Sequence, residues 1–345
     1  MNTERKLATI RVIDKIESID GADKIVCATV GGWKLVTAID NGFFEGCMVV
    51  YLEIDSWVPT EIAAFLSKGK EPREFNGVKG ERLRTIKLRG QISQGLLLPL
   101  SVLGEAHEVF TIGEGCDGAD VTEQLNIQKW EKPMNAQLAG ICRGNFPSFI
   151  RKTDQERIQN LAKDLAKWVA AGLTFEETEK LEGSSMTVYH KDGDFGVCSR
   201  NLDLKETEGN SFWATANKLM LREVLEHEGR NLAIQGELIG PGIQDNIYKL
   251  DHFEFRVFDI FDIDTQTYLD SAHRKEFCFE HVLTEAPFLG IVKIADIPTM
   301  AALLTRAEGE SALAKTEREG VVYKCIEDPS ISFKAISNKY LLGEK

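Results

Sequence analysis

Paired cysteines, long apolar runs and an excess of positive charge are all missing from this chain. The seven cysteines are odd in number and scattered, with no Cys-x-x-Cys pair. That argues against a disulfide framework and a structural zinc site, and for a reducing, cytoplasmic setting. No apolar run reaches the roughly 20 residues a membrane-spanning helix needs, and the N-terminal stretch has no apolar signal region, so no membrane association is expected. The formal net charge is −13. Nucleic-acid binders are usually basic, which weighs against one here, although a local basic groove remains compatible with an acidic whole. There is no internal repeat and no low-complexity tract, and nothing points to an obligate protein partner.

What is present is an ordinary globular composition, 43% hydrophobic and 28% charged over 345 residues. That length predicts about two domains, each able to bury a core. Residues 1 to about 125 read as β-rich. Leu7 to Ile16, Ile25 to Val30, Lys34 to Ile39 and Cys47 to Ile54 alternate and are rich in β-branched residues. Asp20-Gly21, Gly31-Gly32 and Asn41-Gly42 supply turns between them. Thr60 to Lys68 reads as a short helix, and Arg82 to Leu88 and Gly95 to Leu100 as further strands. Short strands with one helix suggest a small Greek-key barrel such as an OB-fold.

Residues 81 to 89 alternate strictly, with Arg82, Arg84, Ile86 and Leu88 on one face and Leu83, Thr85, Lys87 and Arg89 on the other. Arg82, Arg84, Lys87 and Arg89 suit a surface that contacts nucleic-acid phosphates. A solvated edge strand protected by its charge reads equally well. Gly113, Gly115 and Gly118 mark loops, and a boundary near residue 125 divides domains 1–125 and 126–345. Thr153-Asp-Gln-Glu156 has the form of a capping box opening a helix, carried on by Ile158, Leu161, Leu165 and Val169 and ended by Gly172. Helices are also expected at 217–227, 275–285 and 299–308. Strands are expected at 195–198, 232–238, 253–261, 319–324 and 331–336, a mixed α+β domain.

Lys180-Leu-Glu-Gly183 stands out in this second region. A lysine is an amine nucleophile once neutral, and in a strand Lys180 and Glu182 project to one face. A carboxylate there can hold a metal ion, and the glycine permits a tight turn. Alone, the tetrapeptide is also what a surface turn looks like.

Five further segments follow it in order: Ser199-Arg-Asn201, Gly236-Glu-Leu-Ile-Gly240, Phe255-Arg-Val-Phe-Asp-Ile260, Glu319-Gly-Val-Val-Tyr323 and Ser332-Phe-Lys334. Together with the lysine segment they resemble the ordered motifs of the covalent nucleotidyltransferases, which comprise RNA ligases, DNA ligases and capping enzymes. Thr178-Glu-Lys180 and Gly236 to Gln244 look like RNA ligases in particular. No OB domain follows the last motif, as it does in DNA ligases and capping enzymes; the β-rich region precedes the lysine. That order resembles the Deinococcus/Naegleria type of RNA ligase, as do Gly46-Cys-Met-Val-Val-Tyr51 and Phe146-Pro-Ser-Phe149.

The resemblance implies an N-terminal OB-like barrel followed by a mixed α+β adenylation domain. It implies an ATP-dependent ligase that uses Mg²⁺ or Mn²⁺. It would seal 5′-phosphate and 3′-hydroxyl RNA ends, a nicked duplex being the expected substrate and RNA repair the natural role. Lys180 would be the AMP-accepting nucleophile and Lys334 would contact the α-phosphate. Glu179, Arg200, Glu237, Phe258 and Glu319 would bind ATP, Arg200 at phosphate, Glu237 at a ribose hydroxyl and Phe258 stacked on adenine. Glu182, Glu254 and Glu319 would serve the metal. Bland readings stand beside these: Glu254 paired with Arg256, Phe258 in the core, Arg200 and Lys324 on plain surface. Two departures from the family pattern are Ser332, where many relatives carry a lysine, and Glu182, where aspartate is commoner. A DNA or mixed nick-sealing ligase, and a nucleic-acid-binding module without catalysis, are the alternatives.

Overall fold

The computed structural model describes residues 5–106, 116–130 and 142–343, so the turn signals at Gly113 and Gly115 lie outside the described residues. The chain divides into two compact units, residues 1–133 with Gln159–Lys163, and residues 134–158 with 164–345.

The first unit is built from short antiparallel strands. Ala8–Val12 and Leu96–Leu98 flank Met48–Leu52, and Lys15–Ser18, Ile25–Val30 and Trp33–Ala38 form a meander. Ser56–Pro59 pairs with Val78–Arg82 and Gln128–Lys129. Alternation drives inward-facing Ile10, Val50, Leu52, Val58 and Leu98 into one core. The helix expected at 60–68 is a single α-turn, Thr60–Ala63, continued as the 3₁₀ segment Ala64–Ser67 and stopped by Lys68 in the left-handed region. This is the OB-like arrangement anticipated.

The unbroken strand expected from Arg82 to Leu88 does not form. Leu83 is buried and still exchanges backbone hydrogen bonds with Asp55 and Ser56. The chain then leaves that sheet, and Ile86–Leu88 pairs instead with Gln91–Ser93 as a separate hairpin. Burying Leu83 outweighs keeping the alternation in one straight ladder.

The second unit contains two sheets. A seven-stranded sheet runs in the order Cys142–Asn145, Leu202–Leu204, Asp194–Cys198, Ser184–Lys191, Leu232–Ile239, Glu254–Asp262, Thr267–Tyr268. Its apolar face packs under the helices Ser211–Lys218, Leu221–Glu228 and Ser271–Glu280. A five-stranded sheet runs Glu156–Arg157, Ser332–Ile336, Gly320–Cys325, Thr174–Lys180, Phe288–Lys293. Trp168 from the helix Ala162–Ala171 stacks on Phe333 at 5.4 Å, and Tyr323 stacks on Phe333 at 4.7 Å. This aromatic column anchors the sheet that carries the lysine.

Three helix expectations shift, and the helix expected over 275–285 runs Ser271–Glu280. The supposed capping box does not open a helix: Glu156–Arg157 pairs in parallel with Phe333 and Lys334, and the α-helix starts at Ala162. The helix expected over 217–227 is two helices that break at Met220, whose φ is 50°.

Candidate active site

The lysine strand Thr174–Lys180 ends at Lys180, and the next strand, Ser184–Lys191, belongs to the other sheet. Lys180-Leu-Glu-Gly183 is therefore the crossing between the two sheets. The crossing explains the glycine. Gly183 is not in the left-handed region, but a Cβ there would lie 2.5 Å from the Leu238 carbonyl and 2.8 Å from Glu237 Cγ. The glycine is needed for close approach between strands and not for a turn.

Register then assembles the site. Lys180 pairs with Gly320 across the ladder, which sets Glu319 beside it. Lys180 Nζ donates to Glu319 Oε2 at 3.1 Å and to the Leu181 carbonyl at 3.0 Å. Ser185 pairs with Glu237, and Val322 pairs with Lys334. A cavity of about 300 Å³ results, and Lys180, Glu182, Arg200, Glu237, Phe258, Glu319 and Lys334 all line it. Residues spread over 150 positions of sequence thus converge on one polar cleft.

The electrostatics around Lys180 are those of an acid-rich cleft. Burial pulls the Lys180 ammonium down, but the carboxylates of Glu319 and Glu237 outweigh burial and hold it above its ordinary value. Burial, helped by Glu319 and Glu182, pushes Glu237 up to about 7 against the pull of Lys180 and Arg200. Burial likewise raises Glu182. Glu182 Oε1 accepts the Asp245 N–H at 3.0 Å, and the Glu182 N–H donates to the Tyr248 hydroxyl at 2.7 Å. Its Oε2 is buried and, among the described residues, has no partner at full hydrogen-bond geometry, although the Ile247 N–H also favours the charged carboxylate. A buried carboxylate oxygen left over, with Glu319 lining the same cleft, is a hard-oxygen donor set that fits Mg²⁺ or Mn²⁺.

Arg200 Nη2 donates to Asp154 Oδ2 at 2.8 Å, and Lys334 Nζ donates to Asp154 Oδ1 at 3.1 Å. Phe258 takes both readings open to it: it packs on the cluster of Leu181, Ile239, Tyr248 and Ala286 and also lines the cavity. Lys324 is no plain surface residue. It lines the cavity, donates to Asp259 Oδ1 and the Phe258 carbonyl, each at 2.5 Å, and is lowered by burial.

Two predicted residues sit differently. Glu179 lines the cavity, but its carboxylate accepts from Ser311 Oγ at 2.6 Å and the Ala312 N–H at 2.8 Å, and burial raises it. Glu254 does not line the cavity. It lies four residues from Phe258 along its strand, roughly 13 Å away, and its carboxylate is held by Arg256 at 2.5 Å and by His252 at 3.0 Å. The paired-carboxylate reading describes it. The four cations of the first unit are also not equivalent. Arg82 pairs with Asp55 at 2.6 Å and stacks 3.7 Å over the Trp130 ring, whereas Arg84, Lys87 and Arg89 are exposed.

Sequence reading missed Asp154, Tyr248 and Tyr340. Asp154 was visible only as part of an apparent capping box. Nothing local marks the tyrosines, which lie outside the six motifs: Tyr340 lines the cleft, and Tyr248 reaches only the backbone of Glu182.

A family model described as RNA ligase matches residues 173–339, and one described as an OB-fold domain matches residues 7–100. No match was found among curated proteins. Solved structures of Naegleria gruberi RNA ligase are similar over nearly the whole chain. A lysine-to-alanine variant of that enzyme with ATP and Mn has 42% identity and a TM-score of 0.89, covering 97% of this chain and 98% of that one. The same enzyme with PPi has 42% identity and a TM-score of 0.89, with 98% of each chain covered. A lysine-to-methionine variant with AMP and Mn has the same identity, score and coverage. With an OB-fold followed by a nucleotidyltransferase cleft, and 42% identity across the whole of such an enzyme, this chain belongs to the RNA ligase family.

Proposed function

We propose that this ATP-dependent RNA ligase joins 5′-phosphate and 3′-hydroxyl ends at nicks in duplex RNA, through a lysyl-AMP at Lys180 and then an RNA-adenylate. The observation that carries the reading is Lys180, 3.1 Å from Glu319 in a cleft shared with Glu237, Arg200 and Lys334.

In the first step neutral Lys180 Nζ attacks the α-phosphorus of ATP. A nitrogen–phosphorus bond forms, the bond from the α-phosphorus to the bridging oxygen breaks, and pyrophosphate leaves with that electron pair. The lysine proton must go first, and Glu319 Oε2 is within hydrogen-bond reach to hold it. In-line transfer of this kind depends on alignment and charge compensation more than on strong acids or bases. Arg200 and Lys334 supply positive charge for the phosphates, Phe258 a ring face for adenine, and Glu237 an acceptor for a ribose hydroxyl. Glu182 and Glu319 would hold the divalent ion, which supplies charge that weakens the acids' grip on the lysine proton and offsets charge on the phosphates.

The division of labour we propose is an OB-like nucleic-acid-binding domain over residues 1–125 and an adenylation domain over 126–345. The exposed cations Arg84, Lys87 and Arg89 contact the RNA backbone. All seven cysteines are free thiols, which supports a cytoplasmic role, and RNA repair is the use we assign. Among the described residues no helix is long and apolar enough to cross a membrane.

Incubation with ATP and Mg²⁺ should raise the intact mass by one acid-labile AMP, and Lys180→Met should abolish the adduct in a folded protein. Undiminished labelling of that variant would remove Lys180 from its role. Nicked duplexes carrying RNA or DNA on either side of the nick test the substrate. The proposal expects sealing to require RNA, and equal sealing of all-DNA nicks would favour a general nick-sealing ligase.

A further inference from the structure

The cleft's two cations for phosphate are already bridged by an anion of this chain. Asp154 accepts from Arg200 at 2.8 Å with one oxygen and from Lys334 at 3.1 Å with the other. The three residues come from separate elements. Arg200 follows the strand Asp194–Cys198, Lys334 lies within Ser332–Ile336, and Asp154 lies in the loop before Glu156–Arg157. That loop is pinned, because Glu156 and Arg157 pair in parallel with Phe333 and Lys334 itself. The carboxylate is therefore delivered to the lysine by backbone register. Asp154 lines the cavity together with its neighbours Thr153 and Gln155. A carboxylate between a guanidinium and an ammonium offers what a phosphate would offer there, anionic oxygens accepting charge-assisted hydrogen bonds.

We propose that Asp154 is a built-in competitor of pyrophosphate. It occupies Arg200 and Lys334 when no phosphate lies between them, and by recapturing them after the phosphate bond breaks it hastens pyrophosphate release. The inference rests on the reading of Arg200 and Lys334 as phosphate contacts. ATP displaces Asp154 because it brings several phosphate charges together with an adenosine that makes its own contacts. Pyrophosphate has lost the adenosine and must compete for the two cations alone. A tethered carboxylate competes at high effective concentration, commonly in the millimolar range, so the contest favours release. The consequence is a weaker hold on pyrophosphate, so both its inhibition of adenylation and its attack on lysyl-AMP are resisted.

The test compares full-length wild type with Asp154→Asn, Asp154→Glu, Arg200→Ala and Lys334→Ala, each first shown by thermal melting to be folded. Two quantities are read with inorganic pyrophosphate as the probe. One is inhibition of lysyl-AMP formation, the other the rate at which preformed lysyl-AMP reverts to ATP at sub-saturating pyrophosphate. Asp154→Asn removes the charge at nearly constant shape. For partly exposed pairs it should lower the inhibitory concentration of pyrophosphate by about fivefold and accelerate the reversal, and Asp154→Glu should restore much of the resistance. An unchanged or raised inhibitory concentration in Asp154→Asn overturns the proposal; a raised value would make Asp154 an organiser of the cations for phosphate. Failure of the underlying reading looks different. In that case Arg200→Ala and Lys334→Ala leave pyrophosphate inhibition untouched, whereas if only the competitor inference fails, those two variants weaken inhibition and Asp154→Asn does not strengthen it.

Discussion

Acidification should loosen the lysine strand through Glu176, four residues before Lys180. Glu176 is 2% exposed. One oxygen accepts from Arg274 at 2.8 Å, and the other lies 2.7 Å from Lys275 Nζ. Arg274 is itself 3% exposed and also donates to Glu285 at 2.8 Å. Burial alone would raise the carboxyl, but attraction to Arg274 and the hydrogen bonds to Arg274 and Lys275 outweigh it and bring it from 4.5 down to about 2. The group is thus a stronger acid in the folded state. Its contribution is present above the unfolded value near 4.5 and is lost as pH falls towards 2. A displacement of that size corresponds to about 3 kcal/mol. The perturbation is Glu176→Gln, and the assay is hydrogen exchange of the Thr174–Lys180 amides between pH 6 and pH 3, corrected for intrinsic rates, which isolates this strand from the rest of the chain. At pH 6 the variant should open more easily, and about 2 kcal/mol of the wild-type loss between pH 6 and pH 3 should vanish, the remainder of the roughly 3 kcal/mol being lost only below pH 3. Parallel pH dependences for wild type and variant would refute the reasoning.

Gly183→Ala forces a Cβ against the Leu238 carbonyl at 2.5 Å; it should cost about 1–3 kcal/mol and slow lysine adenylation by about 10- to 100-fold, read by melting and by AMP labelling. Glu182→Ala should slow adenylation most at low Mg²⁺ and recover in part at high Mg²⁺, whereas Glu237→Ala should weaken ATP use without that recovery; identical Mg²⁺ titrations would show the roles misassigned. Neutralising Arg84, Lys87 and Arg89 together should weaken RNA binding and flatten its salt dependence by roughly 0.7 to 0.9 log units per lost contact. Arg82→Ala should instead lower the melting temperature, because Arg82 is engaged by Asp55 and Trp130.

Much of the site was legible because the chemistry is written locally. Lys180, Glu182, Arg200, Glu237, Phe258, Glu319 and Lys334 each belong to a short ordered segment, and the structure brings all of them to one cavity. Glu254 was drawn in by the family resemblance, and its position on the strand sets it beside Arg256 and His252 instead of in the cavity. The alternation of residues 81–89 misled for a different reason. Period two reports which side a residue faces, and it does not report that a buried Leu83 would end one ladder and a hairpin begin another.

The sequence by itself determined the fold class and the order of an OB-like unit before a nucleotidyltransferase unit, and it singled out the lysine we propose as the nucleophile, because turn chemistry, alternation and short motifs are properties of neighbouring residues. Tertiary structure alone decided that Lys180-Leu-Glu-Gly183 is a crossing between sheets, with its glycine required by the approach of the Leu238 strand. Only the tertiary structure decided that Lys180 would face Gly320, and so Glu319, across 139 residues. It alone placed Asp154 between Arg200 and Lys334. Registers between distant strands depend on which buried side chains pack together, and no stretch of chain carries that information alone.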